Sequence, residues 1–148
     1  MANMYLVDYE NVGDSAMSGV KTLVPGERVV VFFSKNAKAL TFELWNELTE
    51  CKGIKEMKMV ENPGKNALDF QLSSHLGYAI CKYPHFENFV IISKDSGFQT
   101  LVDFWKREKD VKVHLFPTIE EALANVTKVE ETIVDEVVDE TTVNENND

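Results

Sequence analysis

A continuous apolar run that ends in helix-capping residues constrains the fold of this chain most. Residues 89–98 read FVIISKDSGF, and the apolar part is typical of a strand buried on both faces of a parallel sheet. Ser93, Asp95 and Ser96 can cap a helix. The helical face that follows contains Phe98, Leu101, Val102 and Trp105. The segment therefore predicts a strand, a tight loop that carries Asp95, and a helix.

The same alternation of strand and helix recurs along the chain. Apolar or alternating segments predict strands over residues 4–7, 28–33, 55–60, 89–92 and 111–116. Helical spacing predicts helices over residues 16–23, 37–51, 67–81, 98–105 and 119–124. Alternation of this kind predicts an α/β fold with a parallel sheet and helices on both of its faces.

Local signals refine three of these helices. Asp14, Ser15 and Ser18 are candidate caps for the first helix, and Asn66 is a candidate cap for the third. The second helix is expected to turn one apolar face to the core. That face contains Leu40, Leu44, Trp45 and Leu48.

Charge and length predict a domain followed by a tail. Residues 127–148 carry eight acids and one lysine, a net charge of −7, which leaves −3 of the total −10 for residues 1–126. We expect residues 1–126 to form the domain and residues 127–148 to be a disordered acidic tail or a helix that docks on a partner. The valines of the tail could also support a homo-oligomer, and its acids could bind a regulatory protein.

Apolar runs and cysteines bear on the compartment. No apolar run approaches the roughly 20 residues that a membrane-spanning helix needs, and the start of the chain does not resemble a signal peptide. Cys51 and Cys81 fall in helical patterns without metal-type spacing, which is typical of buried thiols. We therefore expect a cytoplasmic protein that does not bind membranes.

Three acids are candidate ligands for a metal ion. Asp8 ends the first predicted strand, and Asp95 follows the fourth. If these strands are neighbours, both carboxylates face the crevice where parallel sheets bind ligands. Asp69 lies close to the leucine face of the third helix, which contains Leu72 and Leu76. An acid at such a position needs a partner. Oxygen ligands of this kind suit Mg²⁺ or Mn²⁺, which commonly act on phosphates.

Structural roles are open for the same residues. Asp8 and Asp95 could each serve only as a helix cap, whereas Asp69 is harder to explain in that way.

The three histidines, His75, His85 and His114, have no cysteine or acid at ligand spacing. The chain also lacks the glycine-rich phosphate loops and the nucleophile elbow.

Three motifs of the chain together resemble a known family. The segments YLVDYENV, KNALDFQLSSHLG and VIISKDSGF, which lie within residues 4–116, resemble the PIN-like ribonucleases of the NYN-type branch. The resemblance implies a five-stranded parallel α/β/α sandwich and a Mg²⁺- or Mn²⁺-dependent endonuclease that acts on single-stranded RNA. It implies metal ligation and catalysis by Asp8, Asp69 and Asp95, with 5′-phosphate and 3′-hydroxyl products.

Further residues are expected to support such a site. Asn11 and Ser93 would orient the carboxylates from outside the ligand shell. Four lysines near the predicted loops could contact the RNA backbone. These lysines are Lys35, Lys38, Lys65 and Lys94.

One position departs from the family pattern. The family loop often carries a fourth acid where this chain has Gly97, and Glu10 or Asp103 could substitute for it. The alternative reading is therefore a catalytically degenerate PIN-like module that binds RNA or a protein. A metal-dependent phosphatase or a receiver-like domain is less well supported, because Asp8 has no immediate acidic neighbour and the fifth strand ends in Phe116-Pro117, without the lysine that a receiver needs there.

Overall fold

The structure is a computed structural model that describes residues 2–37, 39–61, 64 and 66–126. Its strands are β1 (Asn3–Asp8), β2 (Arg28–Ser34), β3 (Ile54–Val60), β4 (Asn88–Ile92) and β5 (Val113–Phe116). Its helices are α1 (Tyr9–Val12), α2 (Phe42–Glu50), α3 (Ala67–Lys82) and α4 (Gln99–Lys109). Short 3₁₀ turns span Gly13–Met17, Val20–Thr22 and Ser96–Phe98, and residues 119–126 form a last helical segment.

The five strands form one parallel sheet in the order β3-β2-β1-β4-β5. β1 lies at the centre, with Asp8 opposite Phe32 of β2 and Val7 opposite Ile92 of β4. The carboxyl ends of β1 and β4 are therefore neighbours. This arrangement confirms the predicted parallel α/β sandwich and brings the loops after these two strands together.

Two apolar clusters cover the two faces of the sheet. One cluster packs α2, the first connection and the last helical segment against the sheet, and it includes Leu44, Leu48, Ala122 and Val126. The other packs α3 and the start of α4 against the opposite face, and it includes Leu72, Leu76 and Phe98. Each buried leucine of this kind stabilises the fold by about 1.5–3 kcal/mol. The two clusters fix the helices relative to the central strands.

Gly77 allows α3 and α4 to approach closely. A Cβ atom at this position would lie 3.3 Å from the Trp105 ring of α4. Trp105 is half-buried and packs against the α3 cluster. Asp69 lies in the first turn of α3 and α4 follows the Asp95 loop, so this contact fixes the helix that carries one acid against the helix that follows the other.

The predicted second helix is wrong at its start. α2 begins at Phe42, where the side chain of Thr41 accepts a hydrogen bond from the Leu44 N–H at 3.1 Å. Leu40 precedes the helix, and Trp45 is 60% exposed, so neither belongs to the buried face. A cap inside the predicted segment sets the helix start, which apolar spacing alone does not reveal.

The first connection also differs from the prediction. A helical turn begins at Tyr9, directly after β1, and Asp8 caps it by accepting a hydrogen bond from the Asn11 N–H. Two 3₁₀ turns replace the helix predicted over residues 16–23. Asn66 has a left-handed backbone and makes no capping bond from its side chain to α3.

The two cysteines differ in exposure. Cys51 is buried just past the end of α2, whereas Cys81 is exposed on α3, so the prediction of a buried thiol is wrong for Cys81. No helix among the described residues is long and apolar enough to cross a membrane. The acidic tail, residues 127–148, lies outside the described part of the chain.

Candidate active site

Asp8 is the most buried of the three candidate acids, with 3% of its surface exposed. Its Oδ1 accepts a hydrogen bond from the Asn11 N–H at 3.3 Å, and its Oδ2 accepts one from the Ser93 Oγ at 2.9 Å. Asp8 therefore does cap the helical turn after β1, which is the structural role that the sequence leaves open for it. The same bonds fix its carboxylate at the carboxyl end of the central strand.

Ser93 connects Asp8 to the loop that carries Asp95. The Ser93 Oγ donates to Asp8 and accepts a hydrogen bond from the Asp95 N–H at 3.0 Å. The Asp95 Oδ1 accepts in turn from the Gly97 N–H at 2.8 Å, which caps the turn before α4. A short series of hydrogen bonds thus holds the end of β1 and the loop after β4 in one arrangement.

Asp69 reaches the same place from the first turn of α3. Burial raises the pKa of its carboxyl group, and the negative charges of Asp95 and Glu10 raise the pKa further. Asp69, Asp95 and Gly97 also line one open groove of about 300 Å³. Two acids that lie 26 positions apart in the sequence therefore face the same space.

Asp8 also interacts electrostatically with the acids near the groove. Burial raises the pKa of the Asp8 carboxyl group, while the hydrogen bonds from Ser93 and Asn11 lower it. The negative charges of Asp69 and Glu10 raise the pKa of Asp8 again. Like charges so arranged disfavour one another's ionised forms, and a bound cation would remove that cost.

The donor set suits a hard divalent cation. Within the described residues, no group of three or more His, Cys, Asp or Glu side chains is already arranged closely enough to hold a metal ion. Mg²⁺ needs less than this, because it commonly takes one or two carboxylates and completes its shell with water and substrate phosphate. Asp69 and Asp95, which share the groove, meet that requirement in donor chemistry.

Gly97 stands where the family pattern often has an acid. A Cβ atom added at this position would lie 3.0 Å from the Asp95 Oδ1, so a side chain here would crowd that carboxylate. Glu10, one of the two candidate substitutes, contributes to the negative field at both Asp8 and Asp69. Asp103, the other candidate substitute, is not among the residues that line the groove with Asp69 and Asp95. It is exposed along α4 and accepts a hydrogen bond from the Gln99 side chain at 3.2 Å.

The remaining predicted residues are placed as follows. Asn11 contacts Asp8 through its backbone N–H. Lys35 is exposed in the turn after β2, and Lys94 is exposed between Ser93 and Asp95. Lys38 and Lys65 lie outside the described residues. Of the four predicted lysines, Lys94 is therefore the one that the chain places directly beside an acid.

Sequence reasoning missed Phe70. This ring is 70% exposed and lines the groove that contains Asp69 and Asp95. Its signal in the sequence is an aromatic residue directly after Asp69 that lies off the leucine face of α3. The exposed ring adjoins two carboxylates in this groove, so it is accessible to a ligand that binds there.

Comparison with known proteins identifies the fold family. A family model described as PIN domain matches residues 2–114, which include β1 to β4, the first two residues of β5 and all three candidate acids. The chain belongs to the PIN domain family. No match to this PIN domain was found among curated proteins or among solved structures.

Proposed function

We propose that this PIN domain is a Mg²⁺- or Mn²⁺-dependent endoribonuclease of the NYN type that cleaves single-stranded RNA. The carrying observation is that Asp8, Asp69 and Asp95 come from three separate elements to the carboxyl edge of the sheet and interact electrostatically there. PIN domains are generally metal-dependent nucleases, which supports the same reading of these acids.

Each acid has a distinct part in the proposed site. Asp69 and Asp95, which line the groove, and Asp8 would hold the ion, while Ser93 and the Asn11 N–H would orient the Asp8 carboxylate. A divalent cation, when bound there, would acidify the water that serves as nucleophile and would polarise the phosphoryl oxygen. The products would carry 5′-phosphate and 3′-hydroxyl ends.

Exposed lysines would position the RNA. Lys94 adjoins Asp95 and Lys35 lies in the turn after β2, so both can contact phosphates at the carboxyl edge. Lys38 and Lys65 remain predictions for the same role. Cytoplasmic location, a homo-oligomer and a regulatory partner for the acidic tail also remain predictions.

Gly97 favours one competing function. The absence of a fourth acid at this position is what a PIN domain would show if it bound RNA or a protein without cleaving. Such a module would bind RNA equally well in EDTA and in Mn²⁺ and would release no fragments.

Cleavage of labelled single-stranded RNA tests the proposal. Wild-type protein should cut it in Mn²⁺ and not in EDTA, and Asp95→Asn should lower the rate by at least about 100-fold, since loss of a ligand exceeds the loss of an outer partner. Asp103→Asn is the matched control, because Asp103 is an exposed acid of α4, and it should cut like wild type. Equal cleavage by Asp95→Asn, or none by any protein, would contradict the proposal.

A further inference from the structure

A second groove runs between α3 and the exposed edge strand β3. It has a volume of about 690 Å³ and is lined by Phe70 and Tyr78 of α3 and by Lys58 of β3, among other residues. The ring of Phe70 also lines the acidic groove described above. Phe70 therefore borders both grooves, so the α3–β3 groove lies next to the groove that contains Asp69 and Asp95.

Two exposed aromatic rings lie on the same side of α3 along this groove. Phe70, Ser74 and Tyr78 are spaced by four residues, so they form a single ridge of α3. Phe70 is 70% exposed and Tyr78 is 51% exposed, so both rings are accessible to a ligand. The ridge therefore offers two accessible aromatic faces at regular spacing.

The floor of the groove supports these rings. His75 packs edge-on against Phe32 of β2, with ring centroids 5.5 Å apart, and lies 5.8 Å from the Tyr78 ring. Tyr83 continues the series, 6.5 Å from Tyr78. These contacts hold Tyr78 in place while leaving half of its surface exposed.

Positive charges accompany the rings. Lys58 is exposed beside the groove, and the Lys82 ammonium lies 5.1 Å from the Tyr78 ring and 5.5 Å from the Tyr83 ring. Arg28 stacks over Tyr83 at 4.7 Å. Glu56, which pairs with Arg28 and lies 3.7 Å from Lys58, and Glu61, which lines the groove, are the acids of this region that oppose them.

Aromatic faces beside cations are the combination that binds unpaired nucleic acid. Bases stack on the rings whatever their sequence, and the cations follow the phosphates. A strand bound on these rings would reach the acidic groove past Phe70, the residue that borders both grooves. A protein partner would not need a binding groove that adjoins the acids.

We propose that the α3–β3 groove binds the single-stranded RNA on one side of the cleaved bond, with Phe70 and Tyr78 stacking on bases and Lys58 and Lys82 contacting phosphates. The role of this RNA as a substrate rests on the proposed nuclease function. Binding itself does not, so it is measured without metal.

Fluorescence anisotropy of a labelled unstructured RNA in EDTA measures this binding without cleavage. Phe70→Ala and Tyr78→Ala should each weaken the affinity by about tenfold or more, because each variant loses a ring on which a base stacks. Phe42→Ala is the matched control: Phe42 is a 93% exposed phenylalanine of α2, on the opposite face of the sheet, and its loss should leave the affinity unchanged. A duplex of the same sequence should bind more weakly than the single strand, and its affinity should be the same for wild type and all three variants.

The outcomes separate the groove from the nuclease. Unchanged affinity in both ring variants, an equal loss in Phe42→Ala, or no binding by wild type would overturn the groove assignment, even if wild type cleaves RNA. If the ring variants lose affinity but wild type never cleaves RNA, the groove assignment stands and the proposed nuclease function is wrong. Ring variants that change the sedimentation of the protein and not its RNA affinity would show a protein interface instead.

Discussion

Ser93 is hydrogen-bonded to two of the candidate acids, Asp8 and Asp95. It is buried, it donates to the Asp8 carboxylate, and it accepts from the Asp95 N–H. Removal of its hydroxyl would leave a buried carboxylate oxygen without its donor and a backbone N–H without its acceptor. Ser93 is thus a positioning residue whose effect reaches both acids.

Ser93→Ala should lower the free energy of unfolding by about 2 kcal/mol, the range for a hydrogen bond to a buried charged group. Urea denaturation measures the change. Ser96→Ala, an exposed serine of the same loop, is the control and should stay within about 0.5 kcal/mol of wild type. Equal stability of the two variants would contradict the bond pattern around Asp8.

His75 gives the protein a specific dependence on pH. Burial lowers the pKa of His75 below its usual value of 6.5, and the charges of Lys58 and Arg28 lower the pKa further. Just below pH 6.5 the unfolded chain therefore binds more protons at this site than the folded protein does. The contribution of His75 to the unfolding free energy is complete above this pH and is lost as the pH falls.

His75→Gln should remove that contribution. Urea denaturation of wild type and variant between about pH 7 and about pH 5 should show the wild type losing unfolding free energy relative to the variant as the pH falls. Two curves that stay parallel over this range would show that the pKa of His75 is not lowered in the folded protein.

At the scale of elements, α3 is the part that the sequence predicts best. Leu68, Leu72, Leu76 and Ile80 repeat at helical spacing, and all are buried in the structure. A regular apolar face of four turns leaves only one orientation for the helix, which also places Asp69 near the core. α2 lacks this redundancy, because Thr41 sets its start and Trp45 faces solvent.

The packing of α3 on α4 is testable at Gly77. Gly77→Val should lower the unfolding free energy by about 1–3 kcal/mol, because its side chain would displace the Trp105 ring. Gly77→Ala is the control, since its gain in helix propensity of up to about 1 kcal/mol offsets a smaller contact. Thermal or urea denaturation measures both, and a stabilising Gly77→Val would contradict the close approach of the helices.

At the scale of the whole molecule, the order of strands decides the site. The sequence predicts five strands and the acids at their ends, but local patterns do not state which strands are neighbours. The central position of β1 beside β4 is a property of the complete sheet, and it brings Asp8 and the Asp95 loop together. Phe70 and the α3–β3 groove likewise follow only from the assembled layers.

Truncation after Val126 tests the domain boundary and the charge distribution. Val126 is buried, so the shortened protein should keep its core and unfold cooperatively. Removal of a net charge of −7 should tighten RNA binding at low salt, with the difference shrinking as salt increases. The control is the full chain with seven of its eight tail acids changed to amides, which leaves the tail without net charge and should bind like the truncated protein. Failure of the shortened chain to fold would contradict the boundary.

A titration of thermal stability with Mn²⁺ tests the central claim, that Asp8, Asp69 and Asp95 form one cation site. Wild-type protein should gain unfolding free energy with added Mn²⁺, about 2.7 kcal/mol at 100 times the dissociation constant, and lose it in EDTA. Asp69→Asn should lose most of this gain, while Asp103→Asn, the exposed acid of α4, should keep it. Equal stabilisation of Asp69→Asn and wild type, or none in wild type, would contradict the claim.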